Sequence, residues 1–130
     1  MKDMLMIIYN QLLTNAVVKD KVTSDRIKFY DYPETGDVDN PFIVISPLGV
    51  PSGSVIGSDK ELSLRFSYQI DVQGKDRLAV KQIQNAVKIT MGNLRYVQLP
   101  EGIDTYFNET KRFLDARRYR KNTELYDTDY

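Results

Sequence analysis

Between Leu62 and Gln73 the chain alternates without a break. Leu62, Leu64, Phe66, Tyr68, Ile70 and Val72 are apolar, and Ser63, Arg65, Ser67, Gln69, Asp71 and Gln73 are polar. A period of two places the apolar set on one face of a long strand and the polar set on the other, whereas a helix would scatter both. On either side the period changes. Leu5, Ile8, Leu12 and Ala16 recur at spacings of three and four, which predicts a helix over Lys2–Val18. Ala79, Ile83, Ala86, Val87 and Thr90 form a second stripe, with Lys75, Arg77, Lys81, Gln84 and Lys88 turned outward. Asp76 is the expected N-cap of this helix and Gly92 its C-cap.

The remaining strands are shorter. Ile27–Tyr30 is β-prone, and Phe42–Ser46, bounded by Pro41 and Pro47, suits a strand buried on both faces. Leu94–Leu99 is a further candidate, closed by Pro100-Glu101-Gly102. Phe107–Lys121 is the last, with Leu114 and Ala116 on one face and Phe113 and Tyr119 on the other. Between the second and third strands, Gly49–Lys60 reads as a long flexible connection, and Asn122–Tyr130 as a polar tail that frays from a single domain spanning 1–121. The order is α-β-β-β-α-β-β. Two helices cannot serve as crossovers for five strands, so the expected fold is α+β, a mostly antiparallel sheet with both helices on one face.

Composition then narrows the chemistry. The chain of 130 residues balances 18 Lys+Arg against 18 Asp+Glu, which argues against a protein that coats nucleic acid or an anionic membrane. It contains no Cys and no His, removing thiolate metal sites, thiol catalysis and the commonest general base. No apolar run reaches the ~18 residues that would span a bilayer, and the opening segment lacks the cleavage site of a signal peptide. Synthesis in a cytoplasm is the expectation.

Gly49, Gly53 and Gly57 lack the spacing of a phosphate-binding loop. Asp37, Asp39 and Asn40 suit a turn whose side chains hydrogen-bond their own backbone better than a cation clasp. The element order also occurs in metal-dependent nucleases, but Asp71-Val72-Gln73-Gly74-Lys75 has Gln73 where their lysine belongs. Neither a catalytic residue nor a metal or cofactor site is expected. Lys111, Arg112, Arg117, Arg118, Arg120 and Lys121 form a basic run containing only Asp115, and of nine Tyr several fall late: Tyr96, Tyr106, Tyr119, Tyr126 and Tyr130. Arg and Tyr are enriched where proteins touch one another.

The opening helix with Val22–Ile27, the segment Tyr30-Asp31-Tyr32-Pro33-Glu34 before Pro41–Ile45, and the Leu62–Val72 strand leading into the second helix together resemble the siphophage tail-terminator, or tail-completion, family. Proteins of the head–tail joint, such as head-closure and connector adaptors, share this layout. The resemblance implies a hexameric ring that caps the tail tube, stops its polymerisation and docks the head, in a virion assembled in the host cytoplasm. Its partners would be the tail tube protein and a head-closure protein, with DNA passing through the lumen without sequence-specific binding. It brings no catalytic residue. The expected tube-contact loop is Gly49, Val50, Pro51, Ser52, Gly53, Ser54, Val55, Ile56, Gly57 and Ser58. The expected subunit patches are Ser63, Arg65, Ser67 and Gln69 on one strand, met by Arg117, Arg118 and Arg120 on another.

Overall fold

The computed structural model describes residues 2–33, 36–50, 52–57 and 60–123, with the backbone alone for 52, 54–57 and 60–63. The opening helix is two helices. Asp3 caps α1 (Met4–Leu12), its Oδ1 accepting from the amides of Leu5 and Met6 at 3.1 and 3.3 Å. The turn then breaks where Thr14 Oγ1 donates to the Gln11 carbonyl and Asn15 Oδ1 accepts from the amides of Val17 and Val18. Short polar side chains that bond the nearby backbone stop a helix and start another, so α2 runs Ala16–Lys21. Met4, Ile8, Leu12 and Val18 are buried, whereas Ala16, placed in the stripe from its spacing, is exposed because the break rotates it outward.

β1 (Ile27–Phe29) pairs in parallel with β2 (Phe42–Pro47), which pairs antiparallel with β4 (Lys60–Gly74). After Gly74, Asp76 caps α3 (Arg77–Asn93), and β5 (Val97–Phe107) and β6 (Arg112–Asn122) complete the sheet in the order β1-β2-β4-β6-β5. The fold is α+β, a mixed and largely antiparallel sheet with the helices on one face. Leu64, Phe66, Tyr68, Ile70 and Val72 all enter the core beneath the helices, as their alternation requires.

Three boundaries differ from expectation. The segment 52–57 is a strand, β3, paired antiparallel with β4 from Ser52 opposite Arg65 to Gly57 opposite Lys60. It continues β2 in the same direction after an excursion at Gly49, whose φ of +80° favours glycine. β-Branched Val55 and Ile56 find a ladder that the surrounding Gly and Ser residues conceal in sequence. Pro100-Glu101-Gly102 does not close a strand but forms a bulge inside β5. There Gly102 lies so close to β6 that a Cβ would stand 2.7 Å from the Ala116 carbonyl oxygen. Helix α3 is closed not by Gly92 but by Arg95 just beyond its end, in the left-handed region at φ 68°, with the amides of Arg95 and Tyr96 returning to the carbonyls of Gly92 and Met91. Arg95→Gly should therefore raise stability by about 0.5–1 kcal/mol, read as a higher urea midpoint at constant slope.

The inner stripe of α3 is Val80, Ile83, Gln84, Ala86, Val87, Thr90 and Met91. Gln84, expected outward, is fully buried, and its Nε2 donates to the carbonyls of Ile70 and Asp115, tying the helix to β4 and β6. At the C-terminus, Asn122 closes β6 and Thr123 is bonded to Leu64 through both its amide and its Oγ1. The rest of the expected tail, 124–130, lies outside the described residues, as do Pro51 and Ser58.

Candidate assembly surfaces

Register decides which side chains share a face, because directly opposed residues point the same way. Tyr68 faces Tyr119, Ile70 faces Arg117 and Val72 faces Asp115, so odd-numbered residues of β6 lie on the helix side. Arg65 faces Asn122, Ser67 faces Arg120 and Gln69 faces Arg118 on the opposite, outer side. The basic run is thereby split. Arg112, Arg118 and Arg120 belong to the outer face, and Arg117 and Lys121 to the helix side.

This arrangement corrects the expectation of two opposed patches. Arg65, Ser67 and Gln69 from β4 and Arg118 and Arg120 from β6 are neighbours on one face of one molecule; the side chain of Ser63 lies outside the described residues. Gln69 links this face, donating from Nε2 to Asp71 Oδ1 at 2.9 Å and accepting from Arg118 Nε at 3.1 Å, while Arg118 Nη1 reaches Glu101 Oε2 at 2.9 Å. Arg112 instead sits over the Phe42 ring at 5.5 Å, with Tyr32 stacked on that ring at 4.0 Å.

Burial raises the Asp71 carboxyl above the usual carboxylate range, against the pull of its Gln69 hydrogen bond. The folded chain thus holds this proton more tightly than the unfolded chain does. The resulting stability is full in acid and is lost as pH rises through the raised folded value. Asp71→Asn, which still accepts from Gln69, should therefore raise the melting temperature at pH 7 and change it little at pH 3. An equal gain at both pH values would contradict this placement.

Beneath α3 lies a second polar cluster. Asp104 of β5 and Asp115 of β6 are directly opposed, an unfavourable pairing of like charges, and Lys81 bridges them. Its Nζ is 2.7 Å from Asp115 Oδ2, and Arg117 Nε is 3.0 Å from Asp115 Oδ1, around a side chain only 3% exposed. Partial burial works against the Lys81 charge, but hydrogen bonds to Asp104 and Asp115 outweigh it and hold the ammonium above its usual value. The bond to Lys81 holds Asp104 below the usual carboxylate range. The position of Lys81 on the helix predicts an outward side chain, but its ammonium turns to the two carboxylates on the sheet. The only sequence signal for this cluster was a lone acid, Asp115, inside a basic run. Arg117, expected among the subunit contacts, is paired here with Asp115 within the molecule.

Two of the late tyrosines, Tyr96 and Tyr119, are core residues, whereas Tyr106 is exposed and Tyr126 and Tyr130 lie outside the described residues. Asp37 accepts from the amides of Asp39 and Asn40 and from Asn40 Nδ2, the self-bonded turn expected of that segment. Among the described residues no group of three or more Asp, Glu, His or Cys could hold a metal ion, and no helix is long and apolar enough to cross a membrane.

The most conspicuous feature is an arm. β6 pairs with β4 only from Arg65 onward, Thr123 bonds Leu64, and beyond that point β3 and β4 pair with each other alone among the described residues. At about 3.3 Å per residue, Lys60–Leu64 carries the hairpin roughly 15 Å past the sheet. An open cleft of about 400 Å³ lies at its root, lined by Tyr30, Pro47, Val50, Phe66 and Tyr68 among others.

No family model matches the chain, and no curated protein does. Among solved structures the fold is shared with a chain of the virion of a native gene transfer agent (GTA) particle. The TM-score is 0.60 at 14% identity, over 88% of this chain and 90% of that one.

Proposed function

We propose that the chain is a structural protein of a phage-type virion, and specifically a tail terminator. It forms a ring on the tail tube, halts tube growth and presents the surface on which the head docks. The observation that carries this reading is the fold shared with a virion chain over nearly the full length of both, combined with a two-stranded arm built to reach a neighbour. The arm stands where the flexible tube-contact loop was expected, and a hairpin suits that task better. Its backbone is already paired, so docking costs less conformational entropy than ordering a free loop. The face carrying Arg65, Ser67, Gln69, Arg118 and Arg120 supplies a polar surface for a neighbouring subunit, and the ring size expected is six. DNA passes through the ring without base-specific contacts, which suits a chain of zero net charge.

The second reading, a head-closure or connector adaptor, shares the layout but docks on the head side. Removing the chain from producing cells separates the two. A terminator leaves overlong tails without heads. A head-side adaptor leaves tails of normal length without heads, and that result would refute the terminator assignment.

A further inference from the structure

The two flanks of the sheet are unequal. On one side β1 ends at Phe29 opposite Ile45, so the far edge of β3 has no strand beside it among the described residues. On the other side β5 is an edge strand of 11 residues. Exposed edges of this length invite pairing with another chain, and soluble proteins blunt them with proline, bulges or charge. β5 is blunted over only half its length. Pro100 and the bulge between Gln98 and Gly102 interrupt the first half. From Ile103 to Phe107 the ladder is regular, and Ile103, Tyr106 and Phe107 are 50%, 45% and 40% exposed. Asp104, the one charge in this stretch, has a side chain 65% exposed but is neutralised within the subunit by its ion pair with Lys81.

We propose that the Ile103–Phe107 edge of β5 accepts β3 of a second copy of this chain, so that adjacent subunits share a continuous sheet. β3 fits as the occupant. It reads Ser-Gly-Ser-Val-Ile-Gly, with neither charge nor proline; its register with β4 shifts on either side of Val55 but is regular at Ser52–Gly53 and Ile56–Gly57, and it is carried beyond its own sheet on the arm. Pairing joins two different edges of the same molecule, a head-to-tail contact that generates a ring when the rotation closes. Main-chain hydrogen bonds supply the affinity, and burial of Ile103 and Phe107 supplies the apolar part. The inference rests on the ring-forming reading above and names its subunit contact; it uses only the free edge of β3 and leaves the opposite, β4 edge of the arm to meet the tube.

The natural chain has no cysteine, so disulfide trapping has no background. Thr105→Cys is combined in turn with Ser52→Cys, Ser54→Cys or Ile56→Cys, and each purified protein is oxidised and run without reductant. At least one combination should give a ladder of dimers, trimers and larger species. Each single variant should give little beyond slow dimers. Absence of a ladder in all three combinations overturns the proposal. So do dimers formed as fast by Thr105→Cys alone, which would mean that β5 pairs with itself. Ile103→Lys with Phe107→Lys should lower the assembled fraction about tenfold with an unchanged melting temperature, since both side chains are exposed. Unchanged assembly would also overturn it. Native mass spectrometry of the unmodified chain keeps the two readings apart. Rings without the ladder refute this contact but leave the ring standing, whereas a ladder from a chain that does not cap tails refutes the terminator.

Discussion

Arg117→Glu is expected to destabilise the domain by about 3 kcal/mol, whereas Arg118→Glu combined with Arg120→Glu should leave stability within about 0.5 kcal/mol. The three arginines stand almost side by side in sequence, yet the strand turns them to opposite faces. Arg117 points under α3 and bonds Asp115, whose side chain is 3% exposed. A glutamate there would place a third carboxylate beside Asp104 and Asp115, with Lys81 the remaining cation bonded to them. Breaking a buried pair costs more than the pair contributes, because the remaining charge is left desolvated. Arg118 and Arg120 face outward, where reversal removes an exposed contact to Glu101 and changes the charge offered to a neighbour. Urea unfolding at constant slope measures both. The outer-face pair should weaken self-association without lowering the midpoint. Equal midpoints for Arg117→Glu and the unaltered chain would show that the cluster beneath α3 is not the ion network described.

Shortening the arm should produce the opposite pattern, a fold left intact and a function lost. Gly53 lies directly opposite Leu64, so the ten residues Ser54–Ser63 can be replaced by Asn-Gly, a two-residue turn matched to strand twist. Leu64 keeps its bonds to Thr123, and the core beneath the helices is untouched. The midpoint should move by less than about 1 kcal/mol, since the described residues removed pair only within the arm. Tail capping should fall to background, seen as tails of uncontrolled length in electron micrographs. Normal tails from the shortened chain would exclude the arm from any role at the tube end.

What could be read from the sequence follows from how strongly each pattern constrains the backbone. The Leu62–Val72 alternation marks a strand and its buried face, because only period two keeps such a set of apolar side chains together, and Leu64, Phe66, Tyr68, Ile70 and Val72 all enter the core. Asp76 marked the start of α3 because its carboxylate can bond a free amide there and nowhere else nearby. Segments whose structure depends on a partner were less legible. β3 is a strand only because β4 runs on past the body of the sheet to meet it, and Gly and Ser give no hint of that. Gln84 and Lys81 occupy polar positions on an amphipathic helix, and their partners, the Ile70 and Asp115 carbonyls and the Asp104 and Asp115 carboxylates, come from strands far away in sequence. The candidate site suffered most, because a run of basic residues does not reveal which of them the pleat turns inward. Once the register with β4 is known, Arg117 separates from Arg118 and Arg120 at once.

Electron microscopy of purified tails, with and without the chain added, tests the central claim most directly. The account predicts density for a closed ring of this chain at the head-proximal end of the tube, its arms directed onto the last tube ring, and tails that no longer elongate. Tails that keep growing in its presence, with no added ring at either end, would contradict it.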